Sequence, residues 1–237
     1  MNGAEEFLSD DIPVGETPRH GFQGDRARPP RPLLPLAPSI AISREVGARG
    51  TDIARRIGAK SGWTVYDNEV LGYTAQNPAA FDSLLAELPD EAVSWIDERM
   101  RRLHECGLLA NDHSFETVSR LILALGAKGE AIFVGRGAGF LLPRETTLHV
   151  RLTAPLPDRV AYMSQSLRLP PDEAGRQVAA RETKRGAFLA KCFHLPGGGI
   201  IYDMELNSSA LGGELCADLI LAALRCKRRG DTMNPPA

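Results

Sequence analysis

The sequence has no long hydrophobic run. No segment approaches the ~18 consecutive apolar residues that a membrane-spanning helix needs. The first residues, MNGAEE, have neither the basic flank nor the apolar stretch of a signal peptide. We therefore expect no membrane interaction and a cytoplasmic protein.

The chain also lacks an excess of charge of one sign and any paired spacing of its cysteines. Its 28 basic and 30 acidic residues give a formal net charge of -2, so we expect no nucleic-acid partner and only a local anion site. The four cysteines and five histidines have no spacing typical of a disulfide framework or a zinc site. We expect reduced thiols and no zinc.

Length and composition favour an ordered centre between two tails. With 237 residues and a hydrophobic content of 43%, the chain can form one large α/β domain or two small ones. Residues 1–38 contain seven of the 17 prolines, which predicts a disordered leader. Such a leader could bind a protein partner as an extended segment, although a solvated tail is the commoner case. Residues 227–237 are predicted to be a second, short tail.

Between the tails, strand-like segments alternate with helical patterns. The predicted strands are residues 39–42, 63–66, 131–134, 147–152 and 200–206. This alternation predicts an α/β fold whose mostly parallel sheet has helices on both faces. In such sheets, ligands bind beyond the carboxyl ends of the strands.

Residues 39–54 have the layout of a phosphate-binding loop. Gly47 and Gly50 follow the first strand, and a helix then begins whose positive end can face a phosphate. The lysine of the pattern G-x-x-x-x-G-K-[ST] is missing, because Gly50 stands in its place when Thr51 takes the magnesium position. If Arg49 is the cation instead, Gly50 displaces the hydroxyl. From this segment alone, an ordinary strand-to-helix turn is an equal alternative.

Arginines beyond the other strands favour an anion site. Arg136 lies between two glycines directly after the strand at residues 131–134, where an anion ligand is favoured over a turn cap. Arg181 and Arg185 share a helix face and precede the glycine run at residues 196–199. They are either a solvated basic surface or the cations of a mobile lid that closes on transferring phosphates.

Five segments carry a more specific signal. They are ISREVGARG at residues 42–50, VYDNEVL at 65–71, VGRG at 134–137, the strand and turn at 151–159, and YDMELNSS at 202–209. In their order and spacing these segments resemble the cytidylate kinase-like family, a branch of the P-loop nucleoside monophosphate kinases, over residues 39–226. In that family the first loop typically reads S-R-E-x-G-x-x-G, so the missing lysine resembles a feature of the branch.

The resemblance implies an enzyme that moves the γ-phosphate of ATP, with Mg²⁺, to a nucleoside monophosphate or a similar small acceptor. It implies a P-loop kinase-like sheet with a helical acceptor-binding region at about residues 68–129 and a lid at about 172–199. Arg136 and Asp67 would bind the acceptor, while Arg136, Arg181 and Arg185 would be catalytic. The donor would be bound by Ser43, Arg44, Gly47, Ala48, Arg49, Gly50, Thr51 and Arg159, with Thr51 also contacting magnesium. Ser208 and Ser209 are weaker candidates near the donor base.

Two other functions fit the same residues. The missing lysine favours a catalytically silent nucleotide-binding or regulatory module, whereas the lid arginines favour an active kinase. Cytidylate kinases usually carry an aspartate where this chain has Gly137, so the resemblance does not tie the acceptor to cytidine. Because residues 68–112 carry no motif that identifies the acceptor, a kinase for a non-nucleotide acceptor is the third function.

Overall fold

Strands and helices alternate along most of the chain. A computed structural model describes residue 35 and residues 37–110, 112–194 and 200–233. The predicted leader lies almost entirely outside these residues, as do the end of the predicted C-terminal tail and the whole glycine run at residues 196–199.

The described strands form one parallel sheet. They are β1 (Ser39–Arg44), β2 (Thr64–Tyr66), β3 (Ala131–Val134), β4 (Thr147–Thr153) and β5 (Met204–Asn207). Their order across the sheet is β2-β3-β1-β4-β5, with every neighbouring pair parallel. The predicted parallel α/β sheet is therefore confirmed, and β1 lies at its centre.

Helices connect the strands. Those within the described residues are α1 (Gly50–Ser61), α2 (Asn68–Ala75), α3 (Pro78–Ala86), α4 (Asp90–Glu105), α5 (His113–Lys128), α6 (Ala138–Leu141), α7 (Leu156–Leu167), α8 (Pro171–Cys192) and α9 (Ser208–Met233). The last is interrupted at Gly212, whose φ of 75° and ψ of 161° are not helical. None of these helices is long and apolar enough to cross a membrane.

Two apolar cores cover the two faces of the sheet. On one face, Ile40 and Ile42 of β1 pack with Ile53 and Ile57 of α1 and Ile220 of α9. On the other, Ala41 and Phe133 pack against α4 and α5. Fully burying a residue such as isoleucine stabilises the fold by roughly 1.5–3 kcal/mol. The strict alternation along β1 sends Ala41 and Ser43 to the same face, because successive side chains of a strand point to opposite sides.

Candidate functional site

The loop between β1 and α1 exposes backbone donors. Gly47 and Arg49 have φ angles of 86° and 55°, both in the left-handed region. Within the described residues, no hydrogen-bond acceptor faces the backbone N–H groups of Gly47, Arg49, Gly50 and Thr51. Because these groups surround the N-terminus of the 12-residue helix α1, they can donate hydrogen bonds to an anion.

Arg159 supports this loop from α7. Its Nε donates to the carbonyl of Ala154 at 3.0 Å and its Nη1 to the carbonyl of Val46 at 3.2 Å. A Cβ at Gly47 would lie only 2.6 Å from the carbonyl oxygen of Arg159, so the loop and α7 touch through their backbones. The side chain of Arg159 is 13% exposed. Although the sequence predicts a contact to the donor, the structure places this guanidinium on protein partners.

Glu182 links the loop to α8. Its Oε1 accepts a hydrogen bond from the backbone N–H of Val46 at 2.6 Å and forms an ion pair with Arg159 at 3.2 Å. Nη1 of Arg185, one turn further along α8, donates to the carbonyl of Arg44 at 2.5 Å. The loop is therefore held against α8 both by these charged side chains and by a small apolar cluster of Val46, Met163, Ala174 and Val178.

Arg44 runs beside the loop between two glycines. A Cβ at Gly50 would lie 2.7 Å from its Cγ, and a Cβ at Gly135 would lie 2.1 Å from its Nη1. Burial and the neighbouring Arg185 lower the pKa of Arg44 to about 10. The group remains protonated at neutral pH, so a buried positive charge lies between the loop and the end of β3.

Arg136 follows β3 in an unusual backbone conformation. Its φ is 53°, and its neighbours Gly135 and Gly137 have φ angles of 83° and 71°. The left-handed conformation costs a non-glycine residue roughly 1–2 kcal/mol, which is typical of strain kept at functional sites. The guanidinium lies 5.4 Å from the centre of the Phe188 ring, and its Nε is buried without a hydrogen-bond partner. Burial lowers the pKa of Arg136.

A cavity of about 420 Å³ lies beyond the carboxyl ends of β1 and β3. Its cationic end is lined by Arg44, Arg136, Arg181, Lys184 and Arg185, and no aspartate or glutamate belongs to the lining. Of these five cations, only Arg185 forms an ion pair within the described residues, at 3.7 Å from Glu182. Such a set of unpaired charges fits an anionic ligand with several oxygens.

The structure brings together part of the predicted site. Ser43, Arg44, Arg136, Arg181 and Arg185 line the cavity, while Gly47, Ala48, Arg49, Gly50 and Thr51 form the loop and the start of α1. Lys184 was missed as a site residue. The spacing of three from Arg181, which places both on one face of α8, is the signal that could have found it.

Three other predicted residues serve the local backbone. Asp67 caps α2, because its Oδ1 accepts hydrogen bonds from the N–H groups of Glu69 and Val70 at 3.1 and 3.2 Å. Ser208 donates to the carbonyl of Thr153 at 3.1 Å, and Ser209 donates to Asn207 Oδ1 at 2.9 Å. All three residues follow the end of a strand, as predicted. Their hydrogen bonds are those of residues at helix N-termini.

The donor set suits a magnesium ion that arrives with a nucleotide. The described residues contain no group of three histidines, cysteines, aspartates or glutamates placed to hold a metal by themselves. Mg²⁺ in kinases is usually bound by one or two protein oxygens together with substrate phosphates. The hydroxyl of Thr51, in the first turn of α1, fits that pattern.

His149 was also missed by the sequence analysis, which treated the histidines only as zinc candidates. It is 1% exposed on β4, it lines the cavity, and neither ring nitrogen has a hydrogen-bond partner in the described part of the chain. Burial is the main cause that lowers its pKa from 6.5 to about 4, and Lys227 and Arg144 act in the same direction. Its place between the apolar residues Leu148 and Val150 inside a predicted buried strand is the signal that could have found it.

We expect acid to destabilise the protein through His149. The unfolded chain binds a proton near pH 6.5, whereas the folded chain does so only near pH 4, so stability is lost as pH falls through that window. The loss reaches about 3 kcal/mol for a shift of this size. Urea unfolding at pH 7, 5.5 and 4 should show this loss in the wild type and not in His149→Phe. Equal pH dependence of the two proteins would exclude His149 as its source.

The described residues form a parallel sheet of five strands, with a glycine-bearing loop between β1 and α1 and a cationic cavity beyond the strand ends, an arrangement suited to binding phosphate groups. The sequence model of the cytidylate kinase-like family matches residues 39–210. The chain belongs to this family. Family and fold together support a nucleotide-binding phosphotransferase.

Solved structures match the chain at low sequence identity. An uncharacterized protein from Eubacterium ventriosum ATCC 27560 is 16% identical, with a TM-score of 0.53 over 79% of this chain and 98% of that chain. TT1252 from Thermus thermophilus is 18% identical, with a TM-score of 0.44 over 81% and 99%. Shikimate kinase from Acinetobacter baumannii in complex with shikimate is 12% identical, with a TM-score of 0.38 over 81% and 94%. No curated protein matches the chain significantly.

Proposed function

We propose that the protein is a kinase that transfers the γ-phosphate of ATP to a nucleoside monophosphate or a similar small phosphorylated acceptor. The observation that carries this proposal is the cavity with five cations and no carboxylate in its lining. It lies beside a loop whose N–H groups are free to bind phosphate. Donor and acceptor phosphates would both meet positive charge at the same edge of the sheet.

The donor phosphates would lie on the loop. The free N–H groups at Gly47, Arg49, Gly50 and Thr51 would bind them, with Ser43 and Ala48 at its base. Arg49 places its guanidinium 5.1 Å from the centre of the Tyr162 ring, at the side of the loop that faces α7. Arg159 would act by fixing the loop.

The catalytic contribution would come from positioning and from neutralising charge. In phosphoryl transfer the protein mainly aligns the groups and stabilises charge on the transferring phosphate. Arg44, Arg181 and Arg185 lie around the cavity and would supply the positive charge that the missing lysine provides elsewhere. A guanidinium binds phosphate through a planar fork, so two or three arginines can cover one phosphate from different sides.

Magnesium would bind at the Thr51 hydroxyl and the nucleotide phosphates. When bound, the ion neutralises charge on the donor phosphates. Arg136, at the other side of the cavity, would hold the acceptor phosphate, since its buried Nε lacks a protein partner. Asp67, which caps α2 next to Asn68, would orient the acceptor.

One observation favours the silent nucleotide-binding module. The carboxylate of Glu182 accepts a hydrogen bond from the N–H of Val46 within the loop, which places negative charge where phosphate charge must approach. If this contact persists with a nucleotide bound, it opposes turnover. The kinase is the preferred function because the cavity contains four cations with no ion pair in the described residues.

Removing one cavity cation should separate the two functions. We expect Arg181→Ala to lower kcat at least about 10-fold while leaving ATP affinity within a factor of about three, since it removes charge stabilisation of the transferring group. Arg176→Ala is the matched control, because Arg176 is also an exposed arginine on α8 but lies outside the lining. The measurements are calorimetric ATP binding and ATP consumption with CMP, UMP, AMP, GMP and a non-nucleotide phosphate ester.

Each outcome has a distinct meaning. ATP binding with no consumption for any acceptor would favour the silent module. Turnover only with the non-nucleotide ester would identify the other kinase function. If ATP did not bind at all, both functions would be excluded, because each requires the loop to hold phosphate. An equal loss of kcat in Arg181→Ala and Arg176→Ala would contradict the proposed role of Arg181 as a lid cation.

A further inference from the structure

A buried histidine belongs to the wall of the cationic cavity. His149 is 1% exposed, and both of its ring nitrogens are buried without a hydrogen-bond partner among the residues that the structure describes. Buried polar side chains in native proteins nearly always have partners, and an exception calls for an explanation. The cavity that His149 lines gives one, because a ligand there can supply the missing partner.

The strand register separates His149 from Arg136. Ala41 of β1 pairs with Phe133 of β3 on one side and with His149 of β4 on the other. Arg136 lies three residues beyond Phe133, and β4 is two strands away from β3. Strand rise and spacing then place Arg136 and His149 on the order of 10 Å apart. A ligand that contacts both must have two polar ends.

The surroundings of His149 leave room for such a ligand. Ala41 and Ser43, the residues of β1 on the same face of the sheet, are small and line the cavity. Residue 139 of α6 is glycine, and a Cβ there would lie 3.9 Å from Nδ1 of His149. No side chain of residue 139 therefore covers this edge of the imidazole ring. Ile200 and Tyr202 belong to the same lining.

The imidazole is suited to a neutral hydrogen-bonding group. His149 is uncharged at neutral pH, so one ring nitrogen donates and the other accepts. A hydroxyl or amide can pair with either nitrogen. A phosphate favours Arg136 and the other cations of the lining.

We propose that His149 is a specificity-determining residue that hydrogen-bonds a hydroxyl or amide at the far end of a small monophosphate ester whose phosphate lies on Arg136. The inference rests on the proposed function, because it takes the cavity as the acceptor site. It adds that the acceptor is selected by its neutral polar end and not by its phosphate alone. The cations give affinity for any monophosphate, and His149 distinguishes between them.

Binding without ATP tests the proposal. The probes are CMP, UMP, AMP, GMP, ribose 5-phosphate and inorganic phosphate, each titrated calorimetrically into the full chain. We expect at least one ester to bind wild type about 10-fold or more tighter than inorganic phosphate. His149→Phe should lose that excess and keep its affinity for phosphate. His149→Gln, which retains a hydrogen-bonding side chain, should recover part of it.

A second measurement follows His149 in the wild-type protein. In protein labelled with ¹⁵N-histidine, the His149 ring signals, assigned by their loss in His149→Gln, should shift when the preferred ester is added and stay unchanged with inorganic phosphate. The proposal is overturned if no ester exceeds phosphate, if His149→Phe keeps the full excess, or if the ring signals do not respond. These failures differ from that of the proposed function, which would appear as absent ATP binding or turnover.

Discussion

Gly47→Ala is expected to destabilise the protein by about 3 kcal/mol or more and to abolish ATP binding. Two costs add at this position. The φ of 86° costs an alanine roughly 1–2 kcal/mol, and the new Cβ would lie 2.6 Å from the carbonyl oxygen and 2.8 Å from the Cβ of Arg159. Because the nearest contact is backbone, a side-chain rotation cannot relieve it, and overlap of this kind costs a further 1–3 kcal/mol or so.

Gly62→Ala separates these two costs. Gly62 ends α1 with a φ of 78°, and a Cβ there would meet nothing within 4 Å. It should therefore show only the backbone cost, roughly 1–2 kcal/mol, with ATP affinity unchanged. Urea unfolding and calorimetric ATP titration of both variants are the measurements. Equal destabilisation by the two substitutions would show that α7 does not press against the loop.

Arg136→Gly is expected to remove activity without removing stability. Glycine adopts a φ of 53° without strain, and the substitution also relieves the burial of a charge that has no ion pair in the described residues. We expect the free energy of unfolding to change by less than about 1 kcal/mol, since the substitution loses the contact with Phe188, worth about that much, and a long hydrogen bond of 3.5 Å from Nη2 to the carbonyl of Asn68. Loss of a charged contact to the acceptor phosphate should lower kcat/KM about 100-fold or more.

The control for the backbone of Arg136 is Glu130→Gly. Glu130 has a φ of 52°, but it precedes β3 at the opposite edge of the sheet, where its N–H donates to the carbonyl of Pro38. Relief of backbone strain should stabilise the Glu130→Gly variant by about as much as the same relief at Arg136. It should leave kcat/KM unchanged. Arg136→Lys keeps the charge and loses the fork, so its kcat/KM should lie between those of the wild type and Arg136→Gly. If Arg136→Gly retained full activity, the anion site would have to lie elsewhere.

The fold could be predicted because its signals are local. The strand at residues 131–134 was predicted with the bounds that the structure shows, since it is a short apolar segment followed directly by a glycine. Strand ends that carry glycine or arginine also predicted the edge at which a cavity is found. The order of the strands across the sheet could not be predicted from such signals, because the order of strands along the chain does not determine which of them pair.

The contacts of the site could be predicted only in part. The hydrogen bonds of Arg159 to Ala154, Val46 and Glu182 were not predicted, because these partners are distant in sequence or carry no motif. A contact of Arg159 to the donor stays a prediction. Glu182 itself had no signal, because one carboxylate in a helix rich in charge is typical of a solvated face. His149 shows its importance only when the cavity beside it is seen.

We propose two separate subsites, a donor loop at the start of α1 and an acceptor cavity at Arg136. Calorimetric titration of wild type and Arg136→Gly with ATP, and then with the monophosphate of highest turnover, tests that division most directly. We predict that Arg136→Gly binds ATP within about threefold of wild type and binds the monophosphate about 100-fold more weakly. Loss of ATP affinity by the same factor, or an unchanged affinity for the monophosphate, would contradict it.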